Sequence, residues 1–89
     1  MPGDFDPVLR ALGSEIRAEA DYQGVSITEL AKASGITRGT LYLYLNNKRS
    51  IPLGVLLAIA SRLDIGPDVL LDRAEQRASR DAQGTSNGQ

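Results

Sequence analysis

Between Ser26 and Thr37 the chain spells two helix starts and one helix stop within twelve residues, and that spacing constrains the fold more than any other feature. Ser26, Ile27, Thr28 and Glu29 form an S-x-x-E capping box, in which the Ser26 hydroxyl accepts from the amide of residue 29 and the Glu29 carboxylate accepts from the amide of residue 26. A helix therefore starts at Ile27. Ser34 and Gly35 end it, since glycine supplies the left-handed conformation that closes a helix, and Thr37 can cap the next one with its hydroxyl. Two short helices joined by a turn of this size, with glycine in the turn, form a helix-turn-helix unit.

In the helix that follows, Leu41, Tyr44, Leu45 and Lys48 recur at the three- and four-residue spacing of one helical face. Leu41, Tyr44 and Leu45 should look inward. Arg38, Gly39, Tyr42 and Asn46 are left outward, with Lys48 and Arg49 just past the end. Hydrogen-bond donors, a gap in the side-chain surface and positive charge are the features a DNA groove accommodates.

The remaining pattern is also helical. Pro7 suits a first turn, and Val8, Leu9, Leu12, Ile16 and Ala20 make a stripe down to about Tyr22, which Gln23 and Gly24 end. Pro52 opens a fourth helix whose Leu53, Leu56, Leu57, Ile59, Ala60 and Leu63 are apolar over much of its circumference, so it is expected to be largely buried. Asp64, Ile65, Gly66 and Pro67 break it. A fifth helix is predicted over 68–78 with Val69, Leu70, Leu71 and Ala74 as its apolar positions. Residues 79–89 have no large apolar side chain and are expected to form a polar, disordered tail, because nothing there offsets the entropy of ordering. The expectation is an all-α, compact five-helix domain over 1–78 with a tail over 79–89.

Composition removes most catalytic devices. The 89 residues include no cysteine and no histidine, so there is no thiolate, imidazole ligand or neutral-pH general base, and the acids are scattered without a pairing. No enzymatic activity, metal site or cofactor is expected. No apolar run approaches the roughly 18 residues a membrane span needs, and the acidic start MPGDFDP is unlike a secretory signal, which implies a cytoplasmic protein. Net charge is only −1, yet residues 1–29 carry six acids against Arg10 and Arg17, while residues 30–63 carry Lys32, Arg38, Lys48, Arg49 and Arg62 and no acid. A cationic face on a mildly acidic body steers towards phosphate.

TELAKASGITRGTLYLYLNNKR followed by PLGVLLAIASRLDIGPDVLL resembles the Xre family, the DNA-binding domains related to phage lambda repressor and Cro, over about residues 8–72. The matching positions include Leu30, Ala31, Gly35, Ile36, Thr37, Leu41, Asn46, Lys48 and the later series Leu56, Ile59, Leu63, Ile65 and Leu70. The resemblance implies five helices, with the third presented to the major groove, and a dimer on a two-fold-symmetric operator. Many family members begin the second helix with a glutamine that touches a phosphate; Ile27 stands there instead. The third helix alone is also similar to that of the TetR family, which would require a large carboxy-terminal ligand domain.

The candidate DNA-binding residues are Thr37, Arg38, Gly39, Thr40, Tyr42, Leu43, Asn46, Lys48 and Arg49. Arg38, in the first turn, stands where family members read base edges and can fork onto guanine. Gly39 either admits the DNA backbone or is tolerated near a helix end. Thr40 either meets a thymine methyl or phosphate or bonds back to its own helix. Tyr42 is placed outward and Tyr44 inward, Leu43 faces partly outward, and Asn46, Lys48 and Arg49 make a phosphate clamp. Lys32 and Arg62 are weaker candidates, and Val69, Leu71 or Ala74 could form a self-complementary dimer patch.

The function expected is a sequence-specific transcription regulator, a repressor of phage or bacterial type that binds a palindromic operator as a homodimer near the nucleoid. The alternative is an antitoxin or adaptor that holds a protein partner, with its acidic first helix and tail as the contact.

Overall fold

The computed structural model describes the backbone of residues 6–87 and the side chains of residues 7–81. Over these residues the chain forms five α-helices: α1 (Asp6–Gln23), α2 (Ile27–Ser34), α3 (Arg38–Leu45), α4 (Leu53–Arg62) and α5 (Pro67–Asn87). The capping box forms as predicted, with Glu29 N donating to Ser26 Oγ at 3.1 Å and Ser26 N donating to Glu29 Oε1 at 2.8 Å.

The first four helices end in the same way. In each, a residue with positive φ stands at the cap or just past it: Gly24 (75°), Gly35 (71°), Asn47 (61°) and Asp64 (56°). The amide of the next residue then reaches back five positions, Val25 to Ala20 O, Ile36 to Ala31 O, Lys48 to Leu43 O and Ile65 to Ala60 O, at 2.8 to 3.1 Å. This double closure satisfies carbonyls that the helix itself leaves unpaired. Such a motif ordinarily folds an apolar side chain back onto the helix, and Val25, Ile36 and Ile65 do pack against the core. The closure of α3 differs, because it carries the exposed Lys48 at that position.

Leu12 and Ile16 of α1, Leu30 of α2, Leu41 of α3, Ile59 of α4, Leu63 at the cap of α4 and Leu70 of α5 are buried together in one core. Each such side chain contributes roughly 1.5–3 kcal/mol by leaving water. α1 lies along α5, which makes its most extensive contact, and touches α3 on another side, while α2 packs on α3 and α4. Ion pairs brace these contacts: Arg77 Nε to Glu15 Oε2 at 2.6 Å and Arg73 Nη1 to Glu19 Oε1 at 2.9 Å join α5 to α1, and Gln23 Nε2 donates to Leu63 O at 2.7 Å.

Two expectations change. α4 is not largely buried: Leu56, Ile59 and Ala60 face the core, but Leu53 is 69% and Leu57 46% exposed, since α2 and α5 cover only part of its circumference. α5 runs nine residues past its expected end at Ala78, to Asn87. Ala74, Ala78, Arg73 and Arg77 anchor it to the core and to α1, and a helix already nucleated extends at little cost. Of the segment expected to be a disordered tail, residues 88–89 and the side chains of 82–87 lie outside the described residues. Among the described residues, no helix is long and apolar enough to cross a membrane.

Candidate nucleic-acid interface

α3 is held by its inner edge. Leu41 and Leu45 are fully or nearly fully buried, and Tyr44 turns towards α1, where it lines a small cavity with Leu9, Leu12, Gly13 and Ile16. The outer edge then carries Arg38 and Gly39, both exposed, with Thr40 and Tyr42 half-buried and Leu43 at 37% exposure. Eight residues thus divide between holding and presenting.

The amino end is fixed by Thr37, whose Oγ1 accepts from Thr40 N at 3.1 Å and donates to Thr40 Oγ1 at 3.0 Å. Thr40 therefore bonds to the cap rather than back to its own helix. A Cβ built on Gly39 would meet nothing closer than Thr37 Oγ1 at 3.9 Å. The protein interior does not require glycine there, and the gap it leaves faces outward.

At the carboxyl end, the amides of Lys48 and Arg49 both donate to Leu43 O, at 2.8 and 3.2 Å. The turn is pinned to α3 by its backbone, so the two cationic side chains need make no internal contact to be positioned. Both are exposed, and among the described residues neither is in an ion pair. Arg10 of α1 joins them around a cleft that Leu9, Asn47 and Ser50 complete.

Two arginines change places relative to expectation. Arg62 is engaged with Glu29 at 3.4 Å, joining α4 to α2, so it serves the body rather than the clamp. Glu29 is held below the ordinary carboxylate value chiefly by the Ser26 backbone N–H, with Arg62 a smaller cause. Arg17, counted in the sequence only as part of an acidic segment, lies against the interface: its guanidinium sits over the Tyr42 ring at 5.9 Å and its Nη2 donates to Asn46 Oδ1 at 2.5 Å. Arg10 and Arg17 are the only cations in the first 29 residues and stand seven apart, which puts both on one face of α1. That spacing was the available signal.

A helix-turn-helix family profile matches residues 16–70, which span α2, α3, α4 and the turns between them. The chain belongs to the Xre, or lambda Cro-like, helix-turn-helix family. Members of this family are DNA-binding regulators rather than enzymes. The fold is similar to that of the clp gene regulator ClgR of Corynebacterium glutamicum, with a TM-score of 0.84 and 23% identity over 89% of this chain and 84% of that one. A second structure of ClgR from C. glutamicum matches with a TM-score of 0.71 and 25% identity, over 78% of this chain and 90% of that one. No curated protein matches the sequence.

Within the Xre family pattern, Ile27 replaces the phosphate-touching glutamine and is half-buried against the core. Ala74, considered above for a dimer patch, is fully buried and belongs to the monomer core, whereas Val69 and Leu71 are each 39% exposed.

Proposed function

We propose that the protein is a sequence-specific repressor that inserts α3 into the major groove of a two-fold-symmetric operator, one protomer per half-site, and acts by excluding polymerase. The observation that carries this reading is the division along α3 and its closing turn: a buried edge, an outer edge of Arg38, Gly39, Thr40 and Tyr42, and cations held by backbone bonds to Leu43. Arg38 would read a base edge, and Lys48 and Arg49, with the donor amide of Asn46, would grip phosphate. Leu53, Leu57, Val69 and Leu71 remain exposed and support a dimer on the DNA. The protein would act in the cytoplasm, at the nucleoid, without a cofactor.

The antitoxin or adaptor reading gains no such observation. It drew on the acidic α1 and the carboxy-terminal tail: Glu15 and Glu19 of α1 are engaged by Arg77 and Arg73 of α5, and much of the tail lies outside the described residues.

Titration against the DNA upstream of its own gene, beside a scrambled duplex and at several salt concentrations, tests the proposal. The operator should be preferred by about 10³-fold or more, with affinity falling steeply with salt. Equal binding to the two duplexes would remove the operator reading.

A further inference from the structure

We infer that Arg17 is a positioning residue for recognition, setting the conformations of Tyr42 and Asn46 and so the contacts these two side chains make with DNA. The inference rests on the DNA-binding reading above and adds to it a residue outside the helix-turn-helix unit.

Tyr42 and Asn46 are four apart and therefore neighbours on one face of α3. Left alone, an outward tyrosine and an outward asparagine at a helix end would each sample several rotamers, and binding would have to freeze them. Arg17 reaches from α1 into the space between them. Its guanidinium lies over the Tyr42 ring, 5.9 Å from the centroid, and its Nη2 donates to Asn46 Oδ1. One rigid planar group thus contacts both side chains at once.

The chemistry also fixes which way Asn46 faces. A guanidinium has five donors and no acceptor, so only the amide oxygen can meet it. The Asn46 NH2 group is then turned away from Arg17, ready to donate to a phosphate or base acceptor. Arg17 thus stands over one side of the Tyr42 ring, and Tyr42 is half-buried.

Among the described residues Arg17 is in no ion pair, and the α1 carboxylates at 15 and 19 are taken by α5. Lysine at 17 would keep the charge but could not present a plane to the ring and a fork to the amide together. A residue acting through Tyr42 and Asn46 should matter only while they are present. A residue touching phosphate itself should matter regardless, and its removal should flatten the dependence of log affinity on log salt by about 0.9.

The experiment measures preference for operator over scrambled duplex, with salt slopes, for the full chain, Arg17→Ala and Arg17→Lys, and for Arg17→Ala in a Tyr42→Ala/Asn46→Ala background. Thermal melts confirm folding, which the exposed Arg17 does not govern. The expected result is a loss of preference of roughly tenfold for Arg17→Ala and a comparable loss for Arg17→Lys, with the salt slope nearly unchanged, because one weak stacking contact and one hydrogen bond are removed. In the doubly substituted background, Arg17→Ala should change preference less than twofold. Equal losses in both backgrounds, a slope flattened by a full contact, or rescue by lysine would each overturn the inference. If the unsubstituted protein shows no preference, the operator reading itself fails, which is a separate outcome.

Discussion

A Cβ placed on Gly13 would lie 2.7 Å from the carbonyl oxygen of Leu45, so the backbone of α1 rests directly against the last turn of the recognition helix. The obstacle is backbone, not the end of a flexible side chain, and α3 cannot yield without moving its closing turn. Gly13→Ala should therefore destabilise the protein by about 1–3 kcal/mol despite the better helix propensity of alanine. Chemical denaturation measures this, and an unchanged or raised midpoint would show that α1 and α3 are not in this contact.

Gly39 makes the opposite case. Nothing inside the protein approaches its missing Cβ, and it sits exposed in the first turn of α3. Gly39→Ala should raise stability by up to about 1 kcal/mol through helix propensity while weakening operator binding, since the added methyl occupies the gap on the presented edge. Melting and binding measured on the same preparation test both halves, and gains in both would assign the glycine to mere tolerance.

Arg77 and Glu15 make the least exposed of the described ion pairs, with 11% of the Glu15 side chain accessible. Arg77→Ala leaves a nearly buried carboxylate without its donor and should cost about 1–3 kcal/mol. Arg73→Ala, removing a partner from the more exposed Glu19 pair, should cost less, within about 1 kcal/mol. The order of the two in denaturant titrations is the check.

Acid should lower the stability of the protein through Glu19 and Glu29. Both carboxyls lie below their ordinary value in the folded chain, Glu19 chiefly through its hydrogen bond from Gln23 and then Arg73, Glu29 chiefly through the Ser26 backbone N–H. A folded-state pKa below the unfolded one gives stability that is fully present above the unfolded value, near 4.5, and is lost as pH falls through the folded one. Stability should therefore be flat near neutrality and decline below about pH 5. Glu29→Gln, which keeps an acceptor for the Ser26 amide, should shallow that decline; an identical slope in the variant would show that Glu29 contributes nothing to it.

Much of the fold was legible because its signals are local. The capping box at Ser26 and Glu29, the glycine stops at 24 and 35, and the spacing of Leu41, Tyr44 and Leu45 each act within one or two turns, and the structure shows each in the expected place. What escaped was tertiary. The partner of Arg62 is 33 residues away and that of Arg17 is 29 away, so the sequence around each arginine does not show which side chain it meets. The exposure of Leu53 and Leu57 depends on how much of α4 its neighbours cover, and the reach of α5 on its anchorage to α1.

The most direct test of the divided roles along α3 is base preference measured on a randomised duplex library for the unsubstituted protein, Arg38→Ala and Lys48→Ala, with salt slopes for each. Arg38→Ala should relax preference at one base position, by about 1–3 kcal/mol, and leave the others intact. Lys48→Ala should weaken all sequences alike and flatten the salt slope by about one unit. Indistinguishable effects of the two substitutions would contradict the account.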